Sequence, residues 1–270
     1  MIQHKSALSV SSLFLCAVLA AVGLTACNAN GSKTGEAGQQ TDTLSAEDSV
    51  GFRSLFNGHS LDGWQGDTAF WHVVDGAIVG EETAQTSSLL KANTFLIWTG
   101  GQPADFELTA QYQISSKGNS GVQYRSAAVE GVPFGLKGYQ LDIDGPNQYT
   151  GQNYEERLRT ILAFPGQKVV LPPVSGPRSD YAKGNVWRAA EVEDTIVDAA
   201  ALKALYKPGW NSLRIVAKDN HLQHYINDVL VCDITDNDTT NRKAKGVIGL
   251  QLHAGHIMRV AFKDIRLKTL

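Results

Sequence analysis

Cysteine is nearly absent from this chain of 270 residues: Cys16 and Cys27 lie close to the N-terminus, and Cys232 stands alone in everything that follows. No disulfide framework and no paired-thiol metal or redox motif is therefore open to the main body of the chain. Cys232 sits in the apolar run 229–234 and reads as a buried structural thiol rather than a nucleophile. Spaced metal ligands are missing as well, with no His-x-x-x-His and no Glu-x-x-His. There is no Gly-rich phosphate loop and no nucleophile elbow around a serine. Basic residues do not predominate: 24 Lys and Arg face 27 Asp and Glu, for a net charge of −3 and no basic stripe. Nucleic acid is thus not an expected partner. Beyond residue 24 no apolar run is long enough to cross a bilayer.

What is present falls into three parts. Residues 1–26 open with His4 and Lys5, continue as an apolar run over 13–24, and end in Leu24-Thr25-Ala26-Cys27. This pattern reads as a secretory signal, and its ending resembles a bacterial lipobox. The resemblance implies cleavage before Cys27, lipid on Cys27, and membrane attachment through that anchor only, within the bacterial cell envelope. The alternative is an ordinary signal in which Cys27 is incidental. Residues 27–50 are rich in Gly, Ser, Thr, Gln, Asp and Glu, with almost no large apolar side chain to offset the entropy of ordering, and are expected to form a flexible tether. Residues 51–270 are expected to form one domain.

Within that domain, turn signals separate short alternating runs. Phe106, Leu108, Ala110, Tyr112 and Ile114 alternate with polar residues and predict a strand. Asp75-Gly76 and Asn227-Asp228 predict tight hairpins, and 88–90 reads as a further short strand. Residues 164–187 hold four prolines and predict a long irregular loop, a lid or wall of a site. Residues 198–206 predict one short helix capped by Asp198. About a dozen short strands and a single helix predict an all-β fold, an antiparallel β-sandwich or jelly roll.

The polar residues concentrate in and around 138–163. Tyr139, Leu141 and Ile143 alternate toward a core, which sets Gln140, Asp142 and Asp144 on the opposite face. Gln123 with Arg125, and Gln251 with His253, repeat the pattern on two other strands. Tyr154, Glu155, Glu156, Arg157 and Arg159 crowd into the following segment, where adjacent residues point oppositely and at most one of the two glutamates reaches a shared site. Such a mixture of donors and acceptors suits a polyhydroxylated ligand, with Trp187 among the aromatics available to stack on it. The competing reading is that these are the solvated faces of antiparallel strands. Asp142, Asp144 and Asn147 offer an oxygen-rich calcium site of generic spacing; no cofactor is required by the sequence, and oligomeric state is unreadable.

Several motifs together resemble one family. Ser54-Leu55-Phe56-Asn57-Gly58 with Leu61-Asp62-Gly63-Trp64, Gly118-Asn119-Ser120-Gly121-Val122, Tyr124-Arg125, Gly138-Tyr139-Gln140, Tyr154-Glu155-Glu156 and Gly249-Leu250-Gln251-Leu252-His253 are similar to segments of the 3-keto-disaccharide hydrolase family. The resemblance spans 51–270. It implies a concanavalin A-like jelly roll acting on sugars whose C3 hydroxyl has been oxidised to a ketone. On that reading His253 or Glu156 is the base, Asp142 or Asp144 an acid or sugar ligand, and Arg125 and Gln251 are donors to an enolate or hydroxyl. Gln123, Gln140, Tyr154, Glu155, Arg159 and Trp187 complete the expected substrate-binding set. The alternatives are a non-catalytic carbohydrate-binding module and a retaining glucanase. Against the second, a glutamine, Gln140, occupies the position of the nucleophile in Gln140-Leu141-Asp142-Ile143-Asp144.

Overall fold

The computed structural model describes residue 48, residues 50–255 and residues 257–270. The expected signal, the expected lipid attachment at Cys27 and the tether up to residue 47 lie outside the described residues. The described chain is a β-sandwich of jelly-roll type. One sheet runs edge to edge through Ala182–Lys183, Val186–Trp187, Thr160–Ala163, Asn153–Glu156, Leu136–Asp144, Asn119–Ala128, Val247–Leu252, Thr94–Trp98 and Trp64–Gln65. The other runs through Glu191–Thr195, Gln167–Leu171, Val229–Asp236, His221–Ile226, Asn211–Lys218, Phe106–Ile114, Met258–Thr269, Ala77–Glu82 and Trp71–Val74, with Arg53–Ser54 paired beside Met258–Thr269. These are called the nine-stranded and the ten-stranded sheet below.

Alternation decides which face each strand buries. In Phe106–Ile114 the apolar members from Phe106 to Tyr112 are buried and the intervening polar ones are half-exposed. Leu141, Ile143, Val122 and Tyr124 from one sheet meet Leu108, Ile215, Leu222 and Ile234 from the other in a single core. Cys232 lies within it, and burial pushes its thiol up, as expected of a structural cysteine. Both predicted hairpins form, with positive φ at Asp75 and Gly76 and at Asn227 and Asp228, the geometry that matches the twist of paired strands. The helix is Ala199–Leu205, and the Asp198 carboxylate accepts from the backbone N–H of Ala200 and Ala201.

The structure departs from the sequence reading at three places. Two pairings are parallel, Gln167–Leu171 beside Val229–Asp236 and Thr160–Ala163 beside Val186–Trp187, so the sandwich is not wholly antiparallel. The segment 164–187, read as irregular, supplies the strand Gln167–Leu171 and two short ones, because Val169 and Leu171 bury against the core. Residues 88–90 form no strand. The strand in that region is Thr94–Trp98, which pairs with Val247–Leu252.

Candidate functional site

The outer face of the nine-stranded sheet carries a cleft of about 460 Å³, within the usual size of a small-molecule site, about 300–1,000 Å³. Strand alternation builds it. With Leu141 and Ile143 in the core, Gln140, Asp142 and Asp144 all line the cleft. In the next strand Tyr154 and Glu156 reach it, and Gln152, two residues earlier in the same alternation, does so too. Gln251 and His253 come from the opposite side, Asn119 sits across from Asp144, and Asn93 enters from the approach to Thr94–Trp98.

Asp142 is the centre of the floor. Its Oδ1 accepts from Gln140 Nε2 at 2.6 Å and its Oδ2 from Gln152 Nε2 at 2.5 Å. The same Gln140 amide also donates to Gln251 Oε1 at 3.2 Å. Gln140 reaches across its neighbouring strand only because Gly121 stands there: a Cβ at 121 would lie 2.6 Å from the Gln140 carboxamide. Burial pushes Asp142 up to about 7, against the two amide hydrogen bonds that favour its charge, and the nearby carboxylates of Glu156 and Asp144 push the same way. Such a carboxyl populates both protonation states near neutral pH and is able to give or take a proton.

Glu156 is also raised, by burial, with Arg157 and a hydrogen bond from Asn93 opposing. Asn93 Nδ2 donates to Glu156 Oε1 at 3.4 Å, while Asn93 Oδ1 accepts from the backbone N–H of Ala254, next to His253. One asparagine thus ties the Glu156 carboxyl to the His253 loop. His253 Nδ1 lies 2.8 Å from the Ala254 carbonyl. A carbonyl oxygen only accepts, so Nδ1 carries the hydrogen and the basic lone pair is on Nε2. Tyr154 donates to Asn185 Oδ1 at 3.0 Å, and burial followed by the charges of Glu156 and Asp142 pushes its hydroxyl up to about 12. Gly184, Asn185 and Val186 form a wall, so the 164–187 segment does border the cleft.

Other expected site residues lie elsewhere. Gln123 is fully buried, opposite Gln140 on the sheet but absent from the cleft lining. Leu136 packs on that face beside Gly249, and neither end of the Gln123 amide has a partner among the described residues. Arg125 follows a shift of register between Tyr124 and Ala127 and has φ 46°, which turns it away from Gln123. It binds the carbonyls of Ala104 and Asp219 at 2.8 Å and the Asp105 carboxylate at 3.0 Å. Glu155 and Arg159 pair at 2.6 Å between the sheets, both fully buried. Trp187 is buried against Tyr181 in the core and offers no stacking face. Asp144 borders the cleft, yet its carboxylate accepts from the backbone N–H of Gln148 and Tyr149 and from the Thr150 hydroxyl. Asn147 Oδ1 accepts from Thr150 Oγ1 as well, so two members of the expected calcium set serve the turn. Among the described residues no group of three or more His, Cys, Asp and Glu side chains is disposed to hold a metal ion.

Asn93, Asn119, Tyr149, Gln152, Phe164 and Asn185 were not singled out in the sequence. Gln152 carried a signal as the i−2 member of the series that runs through Tyr154 to Glu156, Asn119 stood in the quoted 118–122 motif, and Phe164 and Asn185 fell in the segment read as a lid or wall. The others arrive through loops and strand ends whose neighbours are set by the tertiary fold.

Among solved structures, a protein of Parabacteroides distasonis ATCC 8503 provisionally named a glycosyl hydrolase is 20% identical, over 83% of this chain and 96% of its own, with a TM-score of 0.51. A second protein of that organism and similar name is 16% identical over 81% and 99%, at 0.49. The carbohydrate binding module CBM66 from Bacillus subtilis is 14% identical over 77% and 96%, at 0.45. At 20% identity and a TM-score of 0.51, the first likeness shows a shared fold alone. None of the curated proteins matches the chain. The model of one family does match, over residues 51–268, nearly the whole described sandwich. The chain belongs to the 3-keto-alpha-glucoside-1,2-lyase-like domain family, the 3-keto-disaccharide hydrolases that its motifs resemble.

Proposed function

We propose that the cleft cleaves 3-keto-glycosides by elimination followed by hydration. The observation that carries this reading is the meeting of two carboxyls raised by burial, Asp142 and Glu156, with His253 in one amide-lined cleft. A ketone at C3 acidifies the C2 proton. His253 Nε2 takes that proton, and its electrons pass into the C3 enolate. When the ketone re-forms, the C1–C2 double bond closes and the C1–oxygen bond breaks, with Asp142 delivering its proton to the departing oxygen. Water then adds to C1, Glu156 takes the water proton, and C2 recovers a proton from His253; exchange with solvent then removes the proton from Glu156 and restores one to Asp142. The net reaction is hydrolysis. Gln251, whose side-chain carbonyl oxygen accepts from Gln140, keeps its own amide N–H to hold a substrate hydroxyl or the enolate oxygen, while Gln140 spends both amide hydrogens on Asp142 and Gln251 and orients them. Membrane attachment through Cys27 would place this activity in the cell envelope.

The test is release of chromophore from an aryl glucoside and from its 3-keto derivative, with and without a chelator. Release from the 3-keto compound alone supports the reading, and its loss on chelation adds a divalent cation. Release from the plain glucoside replaces it with a two-carboxylate glycosidase. No release from either, with measurable sugar binding, replaces it with a binding module.

A further inference from the structure

Tyr149 stands out among the aromatic side chains because it lines the cleft and is 44% exposed. The folding of the chain does not require this exposure. The backbone on either side of Tyr149 is held firmly. Its own N–H donates to Asp144 Oδ1 at 2.9 Å, and its carbonyl accepts from the Gln152 N–H at 2.9 Å. Thr150 next to it is fully buried, with its carbonyl accepting from Tyr206 Oη at 2.9 Å. A turn so thoroughly tied that leaves its one large ring in solvent, at the mouth of a polar cleft, incurs the cost of hydrating that ring without gaining core packing. Phe164, Ile161 and Val186 line the same cleft and, with Tyr149, give apolar surface to a lining made mostly of polar side chains.

We propose that Tyr149 is a stacking platform for the flat, C–H-rich face of a pyranose ring, and that Asp144 is the positioning residue that aims it. The proposal rests on the reading of the cleft as a sugar site. It assigns Asp144 a role different from acid or sugar ligand, since its carboxylate takes three hydrogen bonds from the turn that carries Tyr149, two of them from backbone N–H groups. The chemistry follows from shape: axial C–H bonds of a pyranose pack on an aromatic face, which lowers the free energy of the bound state and of the transition state alike. Loss of such uniform binding raises KM and leaves kcat in place.

The experiment compares wild type with Tyr149→Ala, Tyr149→Phe and Tyr149→Trp, measuring kcat and KM on the aryl 3-keto-glucoside and binding of the unoxidised aryl glucoside by calorimetry. An aromatic contact of about 0.5–1.5 kcal/mol corresponds to roughly a two- to twelvefold rise in KM and Kd for Tyr149→Ala. The Phe and Trp variants are expected to stay within about twofold of wild type. Asp144→Ala should raise KM similarly, and adding Tyr149→Ala to it should cost little more, because both act through one ring. An unchanged KM and Kd in Tyr149→Ala overturns the platform. So does a Phe variant as weak as the Ala variant, which would assign the effect to the hydroxyl. A wild-type protein that neither cleaves nor binds these glycosides instead overturns the reading of the cleft as a sugar site.

Discussion

Asp142 shows how one side chain is tuned by its setting. An ordinary aspartate titrates near 4, and burial in the cleft floor brings this one up to about 7 even though two carboxamides donate to it. Between those values the folded protein holds a proton that the unfolded chain releases, so stability falls as pH rises from about 4 to about 7. Asp142→Asn removes that dependence. Its melting temperature relative to wild type should therefore climb across this window, as differential scanning calorimetry at pH 4 to 8 would show; a constant difference would mean that Asp142 titrates normally. If its protonated form serves as the acid, wild-type kcat/KM should fall above about pH 7. Asp142→Asn should lose at least about a hundredfold in turnover. His253→Ala and Glu156→Gln should each lose a comparable factor, and near-normal turnover in either would remove that residue from the proton transfers. In the structure Asn93 links their segments, so Asn93→Ala is expected to impair both.

At the scale of strands, a side chain absent from one position makes room for a contact between others. Gln140 bridges to Asp142 and Gln251 because Gly121 leaves the space between strands open. Gly121→Ala sets a methyl 2.6 Å from the Gln140 carboxamide, whose flexible end can move only by leaving those partners. Overpacking of about 1–3 kcal/mol corresponds to a fall of about 2–12 °C in melting temperature for a domain of this size. The variant should stay folded but lose at least about tenfold in kcat/KM. Unaltered kinetics would show that the Gln140 bridge is dispensable. Alternation with period 2 made this level readable: it separated Gln140, Asp142 and Asp144 from the core and set Glu156 apart from Glu155. It failed at Arg125, where a bulge and a positive φ break the period, because a bulge depends on the partner strand and not on the local pattern. It was blind to Asn93 and Asn185, which reach the cleft through long-range pairing of strands that the sequence does not order. Asp144 and Trp187 had suitable chemistry, but the turn engages one and the core packing buries the other.

Across the whole molecule, the two sheets are joined by polar contacts as well as by hydrophobic packing. Tyr124 Oη in the nine-stranded sheet lies 2.9 Å from His224 Nε2 in the other, and His224 Nδ1 lies 3.1 Å from the Gly151 carbonyl. Since that carbonyl only accepts, Nε2 receives the Tyr124 hydrogen, and burial holds the imidazole down at about 4, neutral at physiological pH. The larger joint is ionic. Arg159, fully buried, reaches Glu155 of its own sheet at 2.6 Å and Asp236 of the facing sheet at 2.6 Å, with Asp238 at 3.5 Å. Tyr139 donates to Asp236 Oδ2 at 2.6 Å, and Asn241 donates to Asp238 Oδ2 at 2.7 Å. One guanidinium thus serves three carboxyls that have left water, and burial pushes Glu155 up even with Arg159 beside it. A cation in this position is more than one term among many: without it the acids face one another in a low-dielectric interior. Arg159→Met keeps much of the side-chain volume and removes the charge, so it should cost about 3–5 kcal/mol in urea unfolding. Protonating the stranded acids relieves their repulsion, so the deficit should shrink as pH is lowered toward 4. A loss below about 1 kcal/mol, or one that does not vary with pH, would mean that the Arg159 cluster adds little to the joint between the sheets. The cleft lies on the strands that carry Tyr139 and Glu155, one residue from Gln140 and Glu156 respectively. Loosening this joint should therefore lower activity before the protein unfolds, with kcat/KM in Arg159→Met falling at temperatures where its circular dichroism is still native.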